Sequence, residues 1–269
     1  MKNRSGALLC GGFLLLSIPV ANAGDGQHFW SGDWYLNLGA AGIVAPEFQG
    51  SKNSKFTISP IISGGRQGGE ARFSSRNDNP SLALFERDLV RIGIAGKFVP
   101  KRDSDTSDEL AGLSPVKYGV ELGGFAEVYP VDWMRIRGEL RQGIRSHDGL
   151  VADVSADAFA DIAPSLRLSA GPRASYGSSG YSKAYYGVDA RESAASGLSQ
   201  YSPDGGIQSA GVGTALTWQA TDNLQASAFA EYRRLVGPAA DSSLVRERGT
   251  ANQLMFGVSA TYKFNFSLQ

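Results

Sequence analysis

Charged side chains alternate with apolar ones along two neighbouring segments in the middle of the chain. The charged set consists of Arg135, Arg137, Glu139, Arg141 and Arg145 in the first segment and Asp153, Asp157 and Asp161 in the second. Residues two or four apart lie on one face of an extended strand, and pairing the two segments would set unlike charges opposite or diagonal to one another. Such a face could line a selective solute path, but we favour a salt-bridged plug that holds an interior shut.

Histidine-dependent catalysis has few candidate residues in this sequence. His28 and His147 are its only histidines, and His147 stands in a predicted turn between Ser146 and Asp148. A catalytic triad needs partners that converge in space, and adjacency in the chain does not provide this. We therefore predict no enzymatic activity, no catalytic residues and no cofactor.

An acidic stretch offers oxygen ligands for a divalent cation that could bridge the phosphates of lipopolysaccharide. It contains Asp103, Asp105, Asp108 and Glu109. The spacing lacks the glycine and the distal glutamate of a calcium-binding loop. We therefore favour a solvated loop and predict no metal site.

Tyrosines cluster at and after the end of a predicted strand. The set is Tyr176, Tyr181, Tyr185, Tyr186 and Tyr201. They could form a recognition surface on a large loop. We favour the alternatives that they belong to an interfacial aromatic girdle or pack the loop on itself.

The first 23 residues have the pattern of a secretory signal peptide. Lys2 and Arg4 precede an apolar run at 7–20, and an A-x-A cleavage site ends at Ala23. The only cysteine, Cys10, lies in this segment, so the segment predicted to remain, 24–269, has no disulfide or thiolate metal site. We expect residues 24–269 to form one domain.

The last strand-like segment indicates the fold class. Leu254, Phe256, Val258, Ala260, Tyr262 and Phe264 share one face, while Gln253, Met255, Gly257, Ser259, Thr261 and Lys263 share the other. No later segment reaches eighteen consecutive apolar residues, so crossing a membrane would require a closed barrel. We predict an all-β, transmembrane, antiparallel up-and-down β-barrel with an apolar exterior. A secreted β-sandwich is the alternative, and the balance of 26 basic and 26 acidic residues gives no reason to expect nucleic acid.

Turn residues divide the segment into twelve predicted strands. They are 34–44, 55–65, 70–76, 80–85, 89–99, 117–129, 133–145, 150–162, 165–176, 206–218, 224–235 and 251–264. An even number suits an outer-membrane barrel, and every long connection then falls at the outer end. Pro60 and Pro172 lie inside predicted strands, where we expect local bulges.

Several motifs together resemble the MipA/OmpV family of outer-membrane proteins. They are Leu110 to Leu113, Arg141-Gln142, His147 to Leu150, Tyr185-Tyr186-Gly187-Val188, Ser196-Gly197-Leu198, Tyr201, Gly205-Gly206, Tyr232, Leu235, Gly237, Ala239-Ala240, Ser242 and Tyr262-Lys263-Phe264. The resemblance covers most of the chain after the signal. Pro238 stands where the family commonly has Asp, Ser243 where it has Pro, and residues 265–269 extend beyond the usual terminal Phe.

The resemblance implies a place in the outer membrane of a Gram-negative bacterium, among lipid and lipopolysaccharide. It also implies a scaffold for peptidoglycan remodelling that binds a murein lytic transglycosylase and a penicillin-binding protein. Related proteins are discussed as adhesins and in antibiotic response. Because the predicted inner turns are short, a surface adhesin or a narrow solute channel is the alternative.

Overall fold

The computed structural model describes residues 31–66, 73–75, 78–87 and 89–268, and these residues form eleven strands. The strands are β1 (Gly32–Pro46), β2 (Ser54–Arg66), β3 (Ser81–Arg87), β4 (Val90–Val99), β5 (Gly119–Val131), β6 (Met134–Ile144), β7 (Leu150–Ala163), β8 (Leu166–Gly177), β9 (Gly206–Gln219), β10 (Leu224–Leu235) and β11 (Asn252–Leu268). Three short helices join them: α1 (Ser179–Tyr186), α2 (Ala190–Ser196) and α3 (Gly237–Ala240). A 3₁₀ turn spans Asp108–Leu110 and a π turn spans Leu244–Arg248.

The strands form an antiparallel up-and-down β-barrel. Consecutive strands pair from β3 to β11 and from β1 to β2, and β1 pairs with β11, so first and last strands meet as predicted. Among the described residues, β2 and β3 are the two ends of this order. One face of the sheet is buried although no second sheet covers it, because the sheet curls around that face.

The outward face is apolar and the inward face is polar. On β11, Leu254 is 54% exposed and Val258 is 63% exposed, whereas Gln253 is buried. On β6, Ile136 and Leu140 point outward while Arg135 is 0% exposed. This alternation confirms the predicted lipid-facing exterior. In the described ranges, no helix has the length and apolar character needed to cross a membrane.

The connections differ at the two ends of the barrel. At the inner end, the turns 132–133, 164–165 and 220–223 join hairpins, and β1 begins and β11 ends there. At the opposite end, the longer connections include 100–118, 178–205 and 236–251. The predicted separation of short and long connections therefore holds for these connections, whereas the connection from β2 to β3 runs between the two ends.

The predicted third strand, 70–76, is only partly described, and its described part is not a strand. Ten antiparallel pairings separate β2 from β3, so the two strands run in the same direction and the chain must return along the barrel between them. Phe73–Ser75 and Asp78–Asn79 contact inward-facing side chains of β6, β7 and β8. We call these five residues the return segment, and it lies inside the barrel.

The predicted bulges at Pro60 and Pro172 are wrong. Pro60 is paired with Ala40 and Pro172 with Val212 in unbroken register. A bulge needs an extra residue, whereas proline only removes a donor, so the register can continue past it. The register shifts occur elsewhere, for example between Ala83 and Phe85.

Candidate functional site: the charged lumen and the outer cap

Ten charged side chains inside the barrel form what we call the lumen network. Its members are Arg91, Glu121, Glu127, Arg135, Arg137, Glu139, Arg141, Asp153, Asp157 and Arg173. They come from β4 to β8, because alternation places every second residue of each strand inward. Five of the eight predicted lumen residues from β6 and β7 are buried, and Asp153 is partly buried.

Glu127 is a hub of this network. Its carboxylate is 1% exposed and accepts hydrogen bonds from Arg91 Nη1 at 3.0 Å and Arg135 Nη1 at 3.4 Å. Arg137 Nη1 also donates to Glu127 Oε1. Three guanidinium groups therefore share one carboxylate, and Arg135 and Arg137 also pair with Asp157 and Glu139, respectively.

A second carboxylate joins the network to the far wall of the barrel. Asp157 accepts from Arg135 Nη2 at 2.8 Å and from Arg173 Nη2 at 3.0 Å. Arg173 Nε lies 3.4 Å from Glu231 Oε2 on β10. The ion pairs therefore cross the interior from β6 through β8 to β10.

Arg141 organises the part of the network nearest the long connections. Its Nε donates to Glu121 Oε2 at 2.9 Å, and its other nitrogens donate to Glu139 and Asp153. Burying a charge is costly unless it is paired and hydrogen-bonded, so these contacts allow the arginine to be 0% exposed.

Two of the predicted lumen residues lie outside the network. Arg145 follows the end of β6, is exposed and has a left-handed backbone with φ of 73°. Asp161 lies near the inner end of β7 and pairs with Arg167 at 2.7 and 3.0 Å, where both side chains are exposed. The buried ion pairs therefore do not extend to these two charged residues near the strand ends, which are exposed.

The return segment adds contacts to the middle of the barrel. The Phe73 ring stacks on Phe159 with centroids 4.3 Å apart, and the Arg135 guanidinium lies over the Phe73 ring, 5.0 Å from its centroid. Asp78 Oδ1 accepts from Arg135 Nη2 at 2.9 Å, and Asn79 Nδ2 donates to Glu139 Oε2 at 2.7 Å. These contacts fill the lumen beside β6 and β7.

A small cavity lies between the charged wall and the neutral wall opposite. It has a volume of about 20 Å³ and is lined by Arg173, Phe229, Thr214 and Ala215. This volume holds about one water molecule.

His147 connects the lumen network to the long connections. Its imidazole is buried, with Nε2 3.3 Å from Glu121 Oε1, and its Nδ1 accepts a hydrogen bond from the Gly149 amide at 3.2 Å. An accepting Nδ1 assigns the proton to Nε2. The ring also meets Tyr181 edge-on, with centroids 5.1 Å apart.

The connections at that end pack into one body, which we call the outer cap: residues 47–53, 100–118, 145–149, 178–205 and 236–251. It has two apolar clusters. The first contains Tyr181, Tyr186, Ala239 and Val245, which pack on Val151 and Leu235 at the ends of β7 and β10, and the second contains Phe48, Leu110, Val188, Leu198 and Leu244. The cap is therefore packed like the core of a soluble domain.

Three of the five predicted tyrosines pack inside the cap. Tyr181 and Tyr186 both donate to Gln49 Oε1 at 3.0 Å, and Tyr185 stacks on Tyr181 at 4.6 Å. Burial raises the pKa of Tyr185 to about 12. Tyr201 donates to the Pro238 carbonyl at 3.0 Å.

The remaining tyrosine, Tyr176, lies on β8 and is 44% exposed.

The glycines of the family motifs end the cap helices: the Gly187 amide donates to Lys183 O at the end of α1, and Gly197 ends α2 with φ of 79°. Ser196 donates to Glu192 O within α2, and Leu198 is buried after it.

Sequence reasoning missed two arginines that tie the cap together. Arg102 donates to Tyr185 O at 2.7 Å and lies 5.0 Å from the centroid of its ring. Arg248 Nη1 donates to the carbonyls of Glu109 and Ala111. No local pattern identifies such contacts, because the partners lie 83 and more than 130 residues away.

The acidic stretch lies on the surface of the cap. Lys101 pairs with Asp103, and its Nζ is 3.4 Å from Asp105 Oδ2. Glu109 accepts from Asn53 Nδ2 at 2.7 Å. Within the described ranges, no group of three or more His, Cys, Asp or Glu side chains is arranged to hold a metal ion.

Solved structures that resemble this chain include outer-membrane proteins. One is a bacterial polysaccharide outer membrane secretin, with 10% identity, a TM-score of 0.44, and coverage of 85% of this chain and 98% of that chain. Another is the outer membrane channel DcaP of Acinetobacter baumannii, with 8% identity, a TM-score of 0.38, and coverage of 87% and 98%. No curated protein sequence matches the chain.

A family model assigns the chain more specifically. The model described as MltA-interacting protein MipA matches residues 38–264, from the first strand to the last. Together with the apolar outward face of the barrel, the match identifies an outer-membrane β-barrel protein. The chain belongs to the MipA family.

Proposed function

We propose that this barrel is a non-enzymatic scaffold that holds a murein lytic transglycosylase, and through it a penicillin-binding protein, at the outer membrane. The observation that carries the proposal is the family match over residues 38–264, since the family is described as MltA-interacting. The proposal includes export by a signal peptide cleaved near Ala23, which leaves residues 24–269 among lipid and lipopolysaccharide.

The filled interior supports a scaffold in preference to a channel. Arg135 and Arg141 are 0% exposed and held by carboxylates, and the cavity beside Arg173 has room for about one water. A conducting lumen requires a continuous polar path. The lumen network instead acts as the proposed plug.

A periplasmic enzyme would meet the inner end of the barrel. The turns there are short, but they present exposed side chains, including Asp132, Trp133 and Asp222. Exposed tryptophan is among the residues most enriched in protein interfaces. We therefore place the docking surface on this rim.

The outer cap favours a second candidate function, a surface adhesin. It contains two apolar clusters of its own and all three helices. A rigid body of this kind could present a binding surface outside the cell.

Site-specific photocrosslinking in cells tests the proposal. A photoreactive amino acid at Asp132 or Asp222 should crosslink to the lytic transglycosylase, whereas the same amino acid at Asp105, in the cap, should not. If neither inner position crosslinks to the enzyme, the scaffold proposal is refuted. Capture of a host or surface ligand from Asp105 would favour the adhesin.

A further inference from the structure

The last strand extends past the membrane. β11 has 17 residues, and its outward apolar side chains run from Leu254 to Leu268. At a rise of about 3.3 Å per residue and a tilt of about 40°, these fourteen steps cover roughly 35 Å, which exceeds the height of about 25 Å of the apolar band of such barrels. The neighbouring β9–β10 hairpin already turns beside Lys263. Residues 265–268 therefore lie beyond the band, at the end away from the outer cap.

Only one edge of this extension is covered. On one side, β1 pairs with it as far as Gly32 opposite Leu268. On the other side, β10 begins at Leu224, opposite Tyr262, and the Lys263 amide donates to Asn223 O at 2.8 Å. In the part of the chain that the structure describes, no strand pairs with residues 264–268 on that side.

The open edge presents main-chain donors and acceptors. Amides alternate between the two edges of a strand, so those of Asn265 and Ser267 point the same way as that of Lys263. They face the open edge. Phe264, Phe266 and Leu268 alternate with them and are 47%, 40% and 42% exposed.

Nothing in these residues protects the edge. Natural proteins guard exposed edges with lysine, proline, bulges or inward charges. The sequence Asn265-Phe266-Ser267-Leu268 has no charge and no proline, and its pairing with β1 is regular. An uncharged, apolar, unpaired edge is a template for another strand.

We propose that residues 264–268 form a β-augmentation site at which an extended segment of a periplasmic protein is added beside β11. Main-chain hydrogen bonds to Asn265 and Ser267 supply affinity, and apolar side chains at alternate positions of the segment pack on Phe264 and Phe266. Lipid acyl chains cannot satisfy these amides. The identity of the partner, a lytic transglycosylase, rests on the proposed function.

Proline substitution removes the amide donors of the open edge, and the hydrogen bond that Ser267 Oγ donates to Asp33 Oδ1 of β1 is lost equally in the two variants compared below. The full barrel in lipid nanodiscs is titrated with purified lytic transglycosylase MltA, and binding is measured by biolayer interferometry. The double variant Asn265→Pro/Ser267→Pro removes both free donors, and the matched variant Asn265→Ala/Ser267→Ala removes the side chains but keeps the amides. We expect the alanine variant to bind like the parent protein and the proline variant to bind at least about tenfold more weakly.

The outcomes separate this proposal from the scaffold function. Equal binding by all three proteins would overturn the edge site and leave the scaffold intact, whereas absence of binding by the parent protein would overturn both. Heat-modifiable migration on gels establishes that each variant is folded. Light scattering measures self-association, and a parent dimer that becomes monomeric in the proline variant would assign the edge to a second copy and overturn the proposal.

Discussion

The lumen network and the outer cap belong to the same barrel, but different interactions hold them together. In the lumen, buried arginines and carboxylates such as Arg135 and Glu127 pair with one another. In the cap, apolar residues such as Leu244 and Val188 pack together. Ion pairs connect the side chains of one region and hydrophobic burial connects those of the other, although the two regions meet at His147.

The difference follows from what lies outside each region. Around the strands lipid takes the apolar face, so alternation sends the polar face inward and the charges must satisfy one another. Around the cap there is no lipid, so apolar side chains turn inward as in a soluble protein. The lumen therefore depends on pairing, and the cap depends on packing.

Among these predictions, removal of the Glu127 carboxylate from the lumen network should change the free energy of unfolding most. In Glu127→Ala, three arginines lose a shared carboxylate, and Arg135 and Arg137 are too buried for water to replace it. We expect the free energy of unfolding to fall by about 3–5 kcal/mol. Urea unfolding of the barrel in detergent, followed by tryptophan fluorescence, measures the change.

The exposed ion pair at the inner end is the matched control. Asp161→Asn removes a carboxylate whose partner, Arg167, is also exposed, so unfolding should not change measurably. If Glu127→Ala behaved like Asp161→Asn, pairing would not hold the lumen, and the contrast with the cap would disappear.

A substitution that creates a cavity in the cap should destabilise the cap and leave the strands unchanged. Leu244 is 1% exposed and packs with Phe48, Leu110, Val188 and Leu198. Leu244→Ala should destabilise the cap by about 3 kcal/mol through lost burial and an unfilled cavity. Hydrogen exchange should then accelerate at the amides of α1, α2 and the π turn while β5 to β7 stay protected. Faster exchange in both regions would show that cap and lumen unfold as one unit.

The sequence predicted the lumen side of this comparison well, because alternation with period two is a strong and local signal. It placed Arg135 and Asp157 inward and Leu254 outward, and eleven of the twelve predicted strands correspond to observed ones. Local pattern could not predict the return segment. Phe73 lies inside because its ring stacks on Phe159, a contact between residues far apart in the chain.

The cap was harder to predict, since its apolar core is assembled from four separate connections. The connection 178–205 was interpreted as a loop, yet it contains α1 and α2. One signal was present: Asp189 and Glu192 have the spacing of a capping box, and the structure forms it. The helices are only eight and seven residues long, too short for periodicity to indicate them.

Alkaline pH should loosen the cap with the smallest of the three effects. Burial raises the pKa of Tyr185 to about 12, although the charge of Arg102 opposes the shift. A folded-state pKa above the usual value of about 10 means that the stability is complete below pH 10 and is lost as the pH rises through 12. At pH 11 the loss from this phenol should be about 1 kcal/mol.

Burial also raises the pKa values of Tyr181 and Tyr186, so Tyr185→Phe should reduce the alkaline loss in urea unfolding curves of the cap by the share of Tyr185 and leave the remainder. Tyr176→Phe, at a 44% exposed ring on β8, controls for loss of a phenol as such. If Tyr185→Phe had the same alkaline dependence as the parent protein, the burial of this phenol would not contribute to holding the cap closed.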